Sequence, residues 1–71
     1  MFIFTQNKAK LVNSANVMDI YANNNSVLAD EIGGTPVCLG TYSNAAAASI
    51  VLSKIKSAIA EALAVFDMPE A

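Results

Sequence analysis

The sequence predicts an α+β protein: a small antiparallel β-sheet of about four strands, followed by one long C-terminal helix packed on it. Three observations lead there. Residues 1–43 are short runs of β-forming residues separated by turn-forming ones. Residues 44–66 open on an alanine run and then place apolar residues at helical spacing. The chain has 71 residues, which is room for one core and one domain. Within it, 1–43 reads as a β meander, 44–66 as the helix and 67–71 as a frayed tail.

Met1 to Thr5 is rich in β-formers, with Phe2 and Phe4 on one face and Ile3 on the other. Gln6-Asn7-Lys8 is polar and turn-like. Lys10 to Asn13 carries Leu11 and Val12 and reads as a short strand, and Ser14-Ala15-Asn16 as a bend. Val17 to Ala22 alternates, with Met18 and Ile20 on one face and Asp19 and Tyr21 on the other. Asn23-Asn24-Asn25-Ser26 is a hairpin signal, because Asn tolerates the left-handed backbone of a tight turn. Val27 to Ile32 follows. Gly33-Gly34 makes the second hairpin, and Thr35 to Tyr42 the last strand. Pro36 lacks a ladder donor and belongs at a strand start or an edge. Val37 and Leu39 share one face of that strand, Cys38 and Gly40 the other.

Ser43 or Asn44 caps the helix ahead of Ala45-Ala46-Ala47-Ala48. The helix is expected to reach Phe66, with Asp67-Met68-Pro69 ending it, because the residue before proline avoids the helical region. One stripe runs through Ala48, Leu52, Ile55, Ile59, Ala62 or Leu63, and Phe66, and is expected to cover the sheet. A second, through Ile50 or Val51, Ala58 and Val65, widens it. A third line is small: Ser49, Ser53, Ser57 and Ala60. Lys54, Lys56 and Glu61 exclude this segment as a membrane span.

Composition excludes more than it names. Arg, His and Trp are absent, so neither a Ser-His-Asp triad nor a Cys-His pair nor a histidine metal site is possible. Net charge is −2, and the whole positive charge is Lys8, Lys10, Lys54 and Lys56. Duplex nucleic acid calls for a clustered basic footprint, which these do not make. The six acidic residues are too scattered to imitate a phosphate ladder. Asp30 and Glu31 are neighbours on a strand, so they point to opposite faces. Asp19 can lie across from one of them, which reads as a solvated strand face. Gly33-Gly34 is not a phosphate loop, since no Gly-Lys-Ser/Thr follows. No nucleophile has a base, so the protein is not expected to be an enzyme, and no cofactor or metal is expected.

Cys38 is the one cysteine, which rules out an internal disulfide and reads as a small buried hydrophobe in a reducing, cytoplasmic setting. The N-terminus has no basic stretch followed by a long apolar core, so it does not read as a signal peptide. Hydrophobic residues make 55% of the chain, on both faces of the expected sheet and on more than one side of the helix. One helix covers one face. With no disulfide or metal to staple so small a core, association is the remaining common device, and a homo-oligomer, most simply a symmetric dimer, is expected.

A binding role suits the rest. Tyr21 and Tyr42 offer flat faces for stacking on a base. Gln6, Asn7, Asn24 and Asn44 offer neutral hydrogen-bonding groups, and Lys8 and Lys10 can meet phosphate. The opening, carried by Met1, Ile3, Gln6, Asn7, Lys8, Leu11, Val12 and Asn13, resembles a start common in small proteins of Gram-positive bacteria and their phages. A later stretch of that pattern is matched by Leu39, Gly40, Tyr42 and Ser43. Thr5 stands where the pattern has serine, and alanines replace its charged helix start. The resemblance extends to phage sponges, which bind cyclic oligonucleotide immune signals without cleaving them. It implies a non-catalytic sponge for a small nucleotide signal, acting in the host cytoplasm, with Gln6, Asn7, Lys8 and Tyr42 at the ligand; Tyr21, read from its ring alone, is a further stacking residue. The alternative is a protein-interaction or inhibitor module that docks a bacterial protein through its helix or a sheet edge.

Overall fold

The computed structural model describes residues 1–71. Its elements, in order, are β1 (Phe2–Phe4), β2 (Leu11–Asn13), a 3-10 turn (Ser14–Asn16), β3 (Val17–Asn23), β4 (Ser26–Glu31), β5 (Pro36–Thr41), α1 (Ala45–Ala60) and β6 (Val65–Asp67). The α+β class and the strands along residues 1–43 are as predicted; a sixth strand, β6, falls where the helix end and tail were expected. The strands divide into two sheets of three, ordered β2-β1-β6 and β3-β4-β5. The division arises because β1 takes a second partner from the far end of the chain: β6 lies parallel to it, with Phe2 beside Val65 and Phe4 beside Asp67.

The local signals explain most of this. Asn24 turns the β3–β4 hairpin at φ 54°. Gly33 sits at φ 71° in the β4–β5 connection, where the Gly34 N–H donates to the Glu31 carbonyl at 3.1 Å. Asn44 caps α1, its side chain accepting the Ala47 N–H at 2.8 Å. The core lies between the two sheets and the helix. Ile3 and Val12 come from the first sheet, Val27, Ala29 and Leu39 from the second, and Ala48, Val51 and Ile55 from α1, with Tyr42 and Met68 closing it.

Four expectations are corrected. The helix ends at Ala60, not Phe66. The Leu63 N–H reaches back to the Ala58 carbonyl (3.1 Å) and the Ala62 N–H to the Ile59 carbonyl (3.0 Å), with Ala62 left-handed at φ 55°. This is a Schellman stop built on alanine, where glycine is usual. It frees Val65–Asp67 to pair with β1, which a longer helix would forbid. Secondly, residues 67–71 are not simply a frayed tail: Met68 is buried, and its N–H donates to the Phe4 carbonyl at 3.0 Å. Thirdly, the buried stripe of α1 is Ala48, Val51, Ile55 and Ala58; Leu52 is half-buried and Ile59 is 55% exposed. The face that α1 turns to the core thus centres on Val51 and Ile55, with an alanine at each end. Lastly, Cys38 is exposed, since it lies opposite Leu28 on the sheet face away from the helix.

Candidate functional site

The first sheet is one residue layer thick, and its alternation decides what it displays. Ile3 and Val12 point inward and are fully buried. Their neighbours point outward: Phe2 (44% exposed), Leu11 and Val65 are exposed and Phe4 is half-buried. The register sets the two phenylalanines in the middle of this face. Leu11 and Asn13 flank them on β2, Val65 and Asp67 on β6. The loop after β1 brings Lys8 over it, with Nζ 5.5 Å from the centre of the Phe4 ring. Lys8 is held there by a tight turn, its N–H donating to the Thr5 carbonyl at 2.8 Å and its backbone at φ 60°. The molecule's one ion pair is Lys10 with Glu31, at 3.5 Å, so Lys8 has no carboxylate partner. The result is an aromatic platform with a cation over Phe4.

The predicted site residues fall in three places. Lys8 is on this platform. Gln6 and Tyr42 meet behind it. The Gln6 amide donates to the carbonyls of Thr41 (2.9 Å) and Pro69 (3.4 Å), and its side-chain oxygen accepts the Thr41 N–H (2.9 Å). The Tyr42 hydroxyl donates to the same Pro69 carbonyl at 2.8 Å. These two side chains clasp the C-terminal segment to β5. Tyr42 is only 6% exposed, so its ring offers no face for stacking, and burial, with the charge of Cys38 secondary, pushes its hydroxyl above the ordinary tyrosine pKa. Asn7 closes the turn, accepting the Thr5 hydroxyl (2.8 Å) and the Ala9 N–H (3.0 Å). Tyr21 is apart from all of these, on the other sheet.

Sequence reasoning did not single out Phe2 and Phe4 as candidate site residues. Their signal was in the sequence, as two aromatics bracketing Ile3, but a strand's alternation says only that the two sets face opposite ways. It does not say which set is covered.

On the second sheet, Tyr21 donates its hydroxyl to Asp30 Oδ1 at 3.1 Å, and Asp19 lies directly across from Asp30 in the ladder. The pairing of Asp19 with one member of the acidic dipeptide is as the sequence allows. Asp19 is raised above the usual carboxylate range, by partial loss of solvation on the sheet face first, then by the hydrogen bond and negative charge of Asp30. Tyr21 is raised as well, by loss of solvation and then by the same carboxylates. This acidic patch repels an anionic ligand. No three metal-ligating side chains gather anywhere in the chain.

A different surface is an open groove of about 820 Å³ between β3 and α1. Its walls are mostly apolar, including Val17, Ile20, Leu52 and Leu63, with Asp19 on the strand side and Lys56 on the helix side. No helix is long and apolar enough to cross a membrane. No family model, no curated protein and no solved structure matches this chain.

Proposed function

We propose that this protein is a non-catalytic sponge of the phage type, which binds and sequesters a cyclic oligonucleotide immune signal. The observation that carries the reading is the Phe2–Phe4 platform with Lys8, free of any carboxylate, over Phe4. A base stacks on a phenylalanine face whatever its identity, worth about 1–3 kcal/mol per base, and a phosphate beside it meets Lys8. Leu11 and Val65 extend the apolar floor, and the Asn13 side-chain N–H₂ remains available to a base edge because only its oxygen is used, by Ala15. The platform is built by the opening segment, which is also the part that resembles small proteins of Gram-positive bacteria and their phages. Binding without cleavage lowers the free signal by mass action once the protein exceeds both the ligand and its dissociation constant.

The test is a thermal-shift panel of cyclic di- and trinucleotides, with the bound ligand recovered by heating and identified by mass. The expected result is a rise in melting temperature and an unaltered ligand. Phe4→Ala and Lys8→Ala are each expected to weaken binding by about five- to tenfold, near the lower end of one stacked base or one charge-assisted contact. Unchanged affinity in both variants removes the platform as the site. Tyr42→Ala is the wrong probe, because it opens the core.

A second reading, an interaction or inhibitor module for a bacterial protein, is favoured by Ile50, which stands 58% exposed on the outer side of α1. It predicts no shift with any nucleotide, and loss of a captured protein when Ile50 is changed to Asp.

A further inference from the structure

The platform leaves the groove between β3 and α1 without a role, and three features of the groove bear on what fills it. Its lining is mostly apolar, which suits a packed protein surface better than a charged ligand. Beside it stands a protruding apolar side chain. The β3–β4 register shifts between Val17 and Asp19, and the residue caught in that shift, Met18, lines the groove yet is 69% exposed. A bulge of this kind re-aims a side chain out of the regular alternation. The patch therefore carries both an apolar projection and an apolar recess. Its charges are also split by wall, Asp19 on the strand and Lys56 on the helix, and neither is in an ion pair within the chain.

A surface that holds a projection with a recess, and a negative wall with a positive one, complements itself when turned by a half-rotation. Two-fold contacts require such self-complementarity, because each group must meet its opposite number on the same patch of the other copy. We propose that this groove is a homodimer interface, closed by a second copy turned about a two-fold axis, in which Met18 of each copy enters the other's groove and Asp19 of each copy pairs with the partner's Lys56. The interface buries Met18, Ile59 and Leu63, three of the chain's large exposed apolar side chains. It leaves the Phe2–Phe4 platform, on the outward face of the other sheet, unused by the contact. The proposal is therefore independent of the sponge reading: the dimer stands whether or not a nucleotide binds.

The experiment is sedimentation equilibrium over a concentration series, on the wild type and on a charge-exchange set. The wild type is expected at twice the chain mass of 7.4 kDa. Asp19→Lys and Lys56→Glu each place like charges face to face twice per dimer, and each is expected to weaken the dimer by roughly tenfold or more. The double variant D19K/K56E restores opposite charges and is expected to recover most of the wild-type affinity. Neither position is in the core, and Asp19→Lys removes the carboxylate repulsion with Asp30, so the fold survives and circular dichroism verifies it. Met18→Asp is expected to give a monomer. A wild type that stays at 7.4 kDa throughout overturns the proposal. So do single variants that dimerise unchanged, a double variant no better than the weaker single, or a groove that takes up a nucleotide in place of a second copy.

Discussion

The sheet β3-β4-β5 is made from chain neighbours: Asn24 turns one hairpin and Gly33 the other, and every ladder joins consecutive strands. The sheet β2-β1-β6 joins the two ends of the molecule, with Phe2 paired to Val65 and Phe4 to Asp67. The first closes short loops at small entropic cost, whereas the second must bring together segments about 60 residues apart before any contact rewards it. The difference has a visible consequence. The locally built sheet carries its own turns and packs under α1, while the end-joined sheet is held by extra fastenings: the alanine-based helix stop, the Met68 N–H to the Phe4 carbonyl, and the clasp of Gln6 and Tyr42 on Pro69. The proposed ligand platform is on the end-joined sheet, whereas the proposed dimer contact lies between β3 and α1 and reaches Leu63 at the helix stop.

The sharpest way to break the comparison is at its joint. Ile3 is fully buried under the end-joined sheet, and Ile3→Ala is expected to cost about 2–5 kcal/mol. Urea unfolding measures the loss. Hydrogen exchange in this variant is expected to accelerate first at Met68 and the β1–β6 ladder, with the β3–β4 hairpin the last to open. Uniform acceleration would mean the two sheets form one cooperative unit.

Gly40→Ala tests the clasp from the other side. A methyl group there would fall 2.8 Å from the Tyr42 hydroxyl and 3.1–3.2 Å from its ring, which is pinned by the bond to Pro69. The expected loss is about 1–3 kcal/mol, the usual range for overpacking. If Tyr42 swings clear at no cost, the clasp contributes little to holding the C-terminal segment.

Ala62→Gly acts in the opposite direction. Ala62 holds φ 55°, a conformation that glycine adopts without penalty. The substitution is expected to stabilise by about 1 kcal/mol, seen as a rise of roughly 4–8 °C in melting temperature for a domain of this size. No rise would mean the helix stop is fixed by β6 pairing and not by its own backbone.

The smallest effect belongs to the locally built sheet. Asp19 is raised in the fold, so the folded state holds its proton more tightly than the unfolded chain. Its contribution to stability is therefore fully present below the ordinary carboxylate range, and is lost as pH climbs through the raised value. Asp19→Asn is expected to raise the melting temperature at neutral pH and to flatten its dependence on pH from 3 to 7, measured on protein dilute enough to be monomeric. An unchanged pH profile would show that Asp19 and Asp30 do not repel.

Much of this architecture was legible because it is local. The asparagine turn, the Gly33-Gly34 turn, the bend at Ser14–Asn16 and the Asn44 cap each act within a few residues, and alternation placed Phe2 and Phe4 opposite Ile3. Of the expected ligand residues, Lys8 alone is free at the surface beside an aromatic; Gln6, Asn7 and Tyr42 are engaged in internal hydrogen bonds. A polar side chain in a sequence does not reveal whether its partner is a ligand or a distant carbonyl such as that of Pro69.

By itself, then, the sequence determined the α+β class, the turns, the helix start and the absence of histidine-based chemistry, because these depend on residue type and near neighbours. Tertiary structure decided where the helix stops, that Val65–Asp67 becomes a strand, that Met68 and Tyr42 are buried and that the phenylalanines face outward. Alanine-rich sequence up to Leu63 favours continued helix, and the stop at Ala62 together with the pairing of Val65–Asp67 with β1, more than 60 residues earlier, outweighs that preference.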